Sequence, residues 1–263
     1  MESKDQSEGM KMTRHEVKQA VLALSHAVGR EDRGLAILGE GNTSGRIDDT
    51  SFWIKASGGN LGTLSDAGVV ECTFSGIAHL LDKEAATDHE VEDGLFASRV
   101  DPSSKKPSVE AIFHAILLLL PGIRFIAHAH PIATNQILSS PLAEKFATHR
   151  IFPDEIVVCG PESVLVPYCD PGLTLARAIQ IKTEMFLEDH GIPPRIILLK
   201  NHGAIALGPT PQSAEAAMLM LEKAAKIFVG AASLGGPILM APEDIRRIAN
   251  RIDEHYRQKE LNL

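Results

Sequence analysis

Cysteine is scarce in this chain, three residues in 263, and none of Cys72, Cys159 and Cys169 belongs to a Cys-x-x-Cys pair. An odd number without paired spacing argues against a disulfide framework and predicts reduced thiols packed in or near the core. Long apolar runs are missing too. Nothing approaches the roughly 20 residues that span a bilayer, and the longest run, residues 115–120, reads as part of a buried helix. The first 12 residues are polar and charged, so neither a secretory signal nor an amphipathic transit peptide is expected there. A disordered tail over residues 1–12, solubility and a cytoplasmic location are the resulting expectations. Positive charge is not in excess: 26 Lys and Arg face 34 Asp and Glu, a net charge of −8. With aromatics at 5% and no basic cluster interleaved with them, neither nucleic acid nor an anionic membrane is an expected partner. A phosphorylated small molecule stays compatible, because a few backbone amides and hydroxyls hold a phosphate even inside an acidic protein.

What the chain does contain is a full complement of core-forming residues, 44% apolar, with no linker, repeat or low-complexity stretch. Helical spacing of apolar residues runs over 13–29, with Thr13 and Glu16 as a capping box. Residues 39–45 read as a glycine-rich polar loop, and 52–56 as a short strand entering Ser57-Gly58-Gly59. A helix is expected over 108–120, between Pro107 and Pro121-Gly122, followed by a strand over 124–130. Further on, 131–147 reads as largely helical, 156–159 and 164–166 as short strands, and 173–190 as a helix. A strand pair over 195–200 and 204–207 precedes a long helix over 211–234 and a last one over 242–256. Intermixed helices and short strands imply one three-layer α/β domain over residues 13–263.

The chemistry concentrates on histidine. His128 and His130 close the strand over 124–130, and His202 follows the strand over 195–200 in Asn201-His202-Gly203. Residues i and i+2 of an extended chain share a face, so both imidazoles of the first pair reach one ion, and a turn histidine from a neighbouring strand completes a set of three. Three protein ligands leave a coordination position open, as catalytic metal sites do, whereas structural zinc is closed by four ligands, mostly cysteine. The plainer alternatives are that each buried histidine is hydrogen-bonded structure, and that Gly203 only supplies positive φ to a tight turn. Glu110, at a helix start, has its own plain reading as a carboxylate favoured by the helix dipole. His114 lies one turn further along that helix and is read as core, or one step removed from the site. His79, His89, His149, His190 and His255 have no spacing that ties them to it.

Taken in order, Gly41-Asn42-Thr43-Ser44, Ser57-Gly58-Gly59, Pro107-Ser108-Val109-Glu110, His128-Ala129-His130 and Asn201-His202-Gly203 resemble the class II aldolase/adducin family over nearly the whole chain. The resemblance implies an α/β/α domain around a mostly antiparallel sheet, assembled as a homotetramer. It implies zinc, or another divalent transition metal, on His128, His130 and His202, with Glu110 as the catalytic carboxylate. It also implies a substrate phosphate held at Asn42, Ser57, Gly58 and Ser108, although Val109 stands where fuculose phosphate aldolases carry a second serine. Lys55 shares a strand face with Ser57 and is either a further cation for that anion or an exposed strand residue. The stretches 53–58 and 61–64 look closest to the aldolase half of larger rhamnulose phosphate aldolase/dehydrogenase chains, whose dehydrogenase half has no counterpart in these 263 residues.

The activity so implied is metal-dependent cleavage of a ketose phosphate to dihydroxyacetone phosphate and an aldehyde through a metal-stabilised enediolate, with Glu110 moving the proton. The same scaffold supports 4-epimerases, dehydratases and decarboxylases; Glu110 favours an aldolase over an epimerase without excluding decarboxylation. A noncatalytic adducin-like assembly module is disfavoured by three histidines and a glutamate at the expected positions. One departure matters. The tyrosine that protonates the leaving alkoxide in the family pattern has no counterpart, since Tyr168 and Tyr256 stand elsewhere and the comparable segment, 149–155, offers His149, Asp154 and Glu155 instead.

Overall fold

The structure, a computed structural model, describes residues 12–83 and 86–260. The tail expected over residues 1–12 thus lies outside the described residues except for Met12, which packs against the core. Helix α1 (Arg14–Val28) opens with the predicted capping box: Thr13 Oγ1 accepts from the Glu16 amide and the Glu16 carboxylate accepts from the Thr13 amide. Strands β1 (Asn42–Arg46), β2 (Ser51–Lys55) and β3 (Val69–Thr73) follow, then helices α2 (Phe74–Leu81), α3 (Asp88–Ala97) and α4 (Ala111–Leu118), and strand β4 (Phe125–Ala129). Helices α5 (Ile132–Leu138), α6 (Ala143–Thr148) and α7 (Pro153–Cys159) precede β5 (Val164–Val166) and α8 (Leu173–His190). The hairpin β6 (Ile196–Leu199) and β7 (Gly203–Gly208) leads into α9 (Pro211–Ser233), α10 (Pro242–Ala249) and α11 (Ile252–Glu260).

The seven strands form one sheet in the order β3-β2-β1-β4-β7-β6-β5, antiparallel except where β5 meets β6. Alternation along the strands feeds two cores. In β4, Phe125, Ala127 and Ala129 enter the apolar cluster covered by α1, α5, α6, α7, α9 and α10, whereas Ile126 enters the one covered by α2, α3, α4 and α8. Each Ile or Phe fully buried there contributes about 1.5–3 kcal/mol. The α/β/α layering and the mostly antiparallel sheet are those expected. No helix among the described residues is long and apolar enough to cross a membrane, and the three cysteines are free, two of them buried.

Several local expectations are corrected. Residues 156–159 are helical, not a strand: Pro153 takes the first helical turn with Asp154 and Glu155, and a short apolar run buried all round carries no periodicity of its own. The glycine-rich stretch 39–45 is not all loop, because Asn42 onward pairs with β4 as strand β1. Residues 131–147 split into α5 and α6. The helix expected over 242–256 breaks near Asn250 into α10 and α11, and the one over 108–120 begins only at Ala111. Strand β3 and helices α2 and α3 gave no signal that sequence reasoning used.

Pairing register gathers the ends of three strands. Asn42, which opens β1, lies opposite His128 of β4, and Ala129, which closes β4, lies opposite Ala204 of β7. The turn joining β6 to β7 carries His202 past that end of the sheet.

Candidate functional site

His128 lies within β4, and His130 falls just past its end, yet their Nε2 atoms come within 3.2 Å of each other. Asn201 takes the left-handed conformation at φ 56°, turning the chain so that His202 faces the same point. The three ring centroids lie 4.9–5.1 Å apart. Gly203, expected to provide that positive φ, does not; it opens β7 where an added Cβ would stand 2.5 Å from Ala129 O and 2.7 Å from the His130 ring. Glycine is needed there for space. At Gly41 both reasons apply, since φ is 69° and a Cβ would meet His128 O at 2.5 Å.

The donor set fits a divalent metal. Two nitrogens bound tetrahedrally by one zinc stand about 3.3 Å apart, close to the His128–His130 spacing of 3.2 Å, and one ligand atom from each of the three histidines lies within 4.8 Å of the others. His128 Nδ1 donates to Ala204 O at 3.0 Å, so the tautomer is set and Nε2 keeps its lone pair for an ion. Burial pushes His128, His130 and His202 each down to about 4, so all three imidazoles are neutral at neutral pH, the form that can ligate a metal.

Glu110 precedes α4 without capping it. Its carboxylate instead turns to the histidines, Oε2 lying 3.5 Å from His128 Nε2 and Oε1 3.4 Å from His202 Nε2. Asn42 Nδ2 donates to Glu110 Oε2 at 2.5 Å and to Ser108 Oγ at 3.2 Å. His114 Nε2 donates to Asn42 Oδ1, and His114 Nδ1 accepts from Ser44 Oγ at 2.6 Å. Complete burial holds His114 well below the ordinary histidine range, as this neutral, doubly satisfied ring requires. Both N–H groups of the Asn42 amide are therefore used inside the protein. Ser108 Oγ accepts from both Asn42 and the Glu110 amide, which leaves its hydroxyl hydrogen free to donate.

The remaining predicted residues lie beside this group. Ala56 bridges Pro107, Ser57 N donates to Lys106 O and Ser108 N donates to Lys55 O, so the Ser57-Gly58 turn runs alongside the segment leading to Glu110. Gly58, at φ 76°, faces open space, and the loop carrying Gly39 approaches it. Lys55 is 2% exposed, which removes the exposed-strand reading; Nζ donates to Gly39 O at 3.2 Å, and burial lowers its pKa while Glu110 opposes the shift. Glu40, whose Oε1 lies 3.9 Å from His130 Nδ1, was not singled out from sequence, nor was Ser44. Both sit in the stretch read as loop, where strand register was invisible. His149, Asp154 and Glu155 are occupied elsewhere, with Thr148, with Arg257 and with Ile151 N respectively, and Tyr168 and Tyr256 are exposed.

Residues 19–229 match the family model described as the Class II Aldolase and Adducin N-terminal domain. The chain belongs to that family. Among its relatives, an uncharacterized oxidoreductase of Bacillus subtilis, YuxG, is 26% identical over 192 residues, 69% of this chain but 25% of that protein, so this chain spans a quarter of its length. A 3-oxo-tetronate 4-phosphate decarboxylase of Haemophilus influenzae is 27% identical over 199 residues, covering 75% of this chain and 80% of that one. The class II aldolase fold recurs in an L-fuculose 1-phosphate aldolase structure with a TM-score of 0.68 at 19% identity, covering 92% of this chain and 98% of that one.

Proposed function

We propose that the chain is a metal-dependent carbon–carbon lyase of the aldolase type, acting on a ketose phosphate to release dihydroxyacetone phosphate and an aldehyde. The observation that carries this reading is the convergence of three neutral imidazoles with the Glu110 carboxylate 3.4–3.5 Å from two of them. His128, His130 and His202 hold the cation, zinc or another divalent ion suited to nitrogen ligands. When bound, that cation supplies Lewis-acid polarisation of the substrate oxygens. Glu110 transfers the proton, its carboxylate oriented by the Asn42 amide at Oε2. Ser108 and Lys55, with the Ser57 hydroxyl and the Gly58 amide, hold the anionic end of the substrate, while Asn42 acts chiefly by orienting Glu110. A homotetramer is part of the proposal, and a monomer in light scattering would contradict it.

A second reading, decarboxylation of a phosphorylated keto acid, is favoured by two observations. The family tyrosine expected to protonate a leaving alkoxide has no counterpart in the sequence, and the Haemophilus influenzae relative is a decarboxylase. Both reactions leave negative charge beside a carbonyl after a carbon–carbon bond breaks, and in both Glu110 can return the proton. Product analysis of the metal-loaded protein separates them. Dihydroxyacetone phosphate and an aldehyde from ketose phosphates support the aldolase; carbon dioxide from a keto acid phosphate without aldehyde supports the decarboxylase. Protein that binds no metal and stays inert with zinc, cobalt or manganese would refute both and leave an adducin-like assembly role.

A further inference from the structure

A buried carboxylate away from the histidines has no part in the chemistry proposed above. Glu222 of α9 is 3% exposed where α9 packs against the start of α5. Burying an ionised carboxylate is costly unless hydrogen bonds replace its water. Here Oε1 accepts from Ala133 N at 3.1 Å, and Oε2 accepts from Thr134 N at 3.1 Å and Thr134 Oγ1 at 3.0 Å, with Lys226 Nζ 3.6 Å away. Those donors belong to the first turn of α5, whose N-cap, Pro131, offers no side-chain cap. The turn begins immediately after His130, whose own amide donates to Leu35 O at 2.9 Å.

The same short helix also meets the third histidine. Asn135 Nδ2 donates to His202 O at 2.9 Å, and Asn201 N donates to Leu138 O at 3.4 Å. Helix α5 thus ties the residue following His130 to the turn that carries His202, and Glu222 fastens α5 to α9. We infer that Glu222 and Asn135 are positioning residues for the histidine cluster, acting through α5 as a brace that sets the separation of His130 and His202. The inference rests on the reading of those histidines as metal ligands.

The test uses the 263-residue chain, stripped of metal and titrated with cobalt(II), whose visible absorption reports ligand geometry and whose affinity is read by competition with a chelating dye. Glu222→Gln keeps the shape but replaces a carboxylate oxygen with an NH2 group that cannot accept the α5 amides. Asn135→Ala, at a partly exposed position, removes the tie to His202 with less risk to folding. Ile77→Val, on α2 in the opposite core, controls for general destabilisation. All are measured well below their unfolding transitions. We expect cobalt affinity to fall about tenfold or more in Glu222→Gln and in Asn135→Ala, as when groups supporting metal ligands are removed, with an altered absorption band, and to be unchanged in Ile77→Val. Wild-type affinity and spectrum in the first two variants, with only their melting temperatures lowered, would overturn the brace. Failure of the wild-type protein to bind cobalt would overturn the metal reading itself, and the brace with it.

Discussion

Replacing Gly203 with alanine tests whether the histidine site depends on the close approach of β4 and β7. The added methyl would lie 2.5 Å from Ala129 O, 2.7 Å from His130 Cδ2 and 3.3 Å from His128 Cε1. Contacts under 3.0 Å do not occur at real Cβ atoms, so the strands must separate by at least about 0.5 Å, and the obstacle is backbone rather than a flexible side-chain end. Overpacking of this kind costs about 1–3 kcal/mol. The opposing gain, from a less flexible unfolded chain, is about 0.4–1 kcal/mol. At the middle of both ranges the clash wins by about 1.3 kcal/mol, which lowers the folded-to-unfolded ratio about ninefold. Urea unfolding of the metal-free protein should show a lower midpoint with an unchanged slope. Because the atoms met also include ring carbons of His130 and His128, cobalt affinity should fall as well. An unchanged or higher midpoint together with wild-type cobalt binding would refute the argument that this glycine is required by space.

Three further outcomes are expected. His128 is held at about 4, below the ordinary 6.5, so between those pH values the unfolded chain binds the extra proton. Metal-free protein should therefore keep its stability above pH 6.5 and lose on the order of 3 kcal/mol through this residue as the pH falls to 4; urea midpoints across that range check it, and a flat profile would count against a neutral buried imidazole. Glu110→Gln should lower turnover about 10²- to 10⁴-fold, the usual contribution of a positioned proton-transfer group, while metal content stays near wild type. Chelation of a resident metal present at 100 times its dissociation constant removes about 2.7 kcal/mol, or about 5–10 °C in melting temperature, and a scan unaffected by chelator would argue against a resident ion.

The long elements were legible because their signals are local. The Thr13–Glu16 box marks the start of α1, and proline before an alanine-rich run marks α9. Apolar runs bounded by Pro121-Gly122 and by Asn201-His202-Gly203 pointed to the histidine strands. The stretch 156–159 was misread because a short apolar run fits a buried strand or a buried helix equally well, and only packing against α9 and α10 chooses. Strand β1 was hidden because its residues, Asn42 to Arg46, are polar or small, and their pairing with β4 is a long-range fact.

Residue types and order alone determined which chemistry this chain can support: three imidazoles, a carboxylate after a Pro-Ser pair, glycine-rich turns and no disulfide or membrane-spanning pattern. Tertiary structure decided how those groups are poised. Register set Asn42 opposite His128, burial made the imidazoles neutral and drew Lys55 inside, and the hydrogen bonds of His114 committed the Asn42 amide to Glu110. Desolvation and hydrogen-bond geometry depend on neighbours dozens of residues away in sequence, so no local pattern can report them.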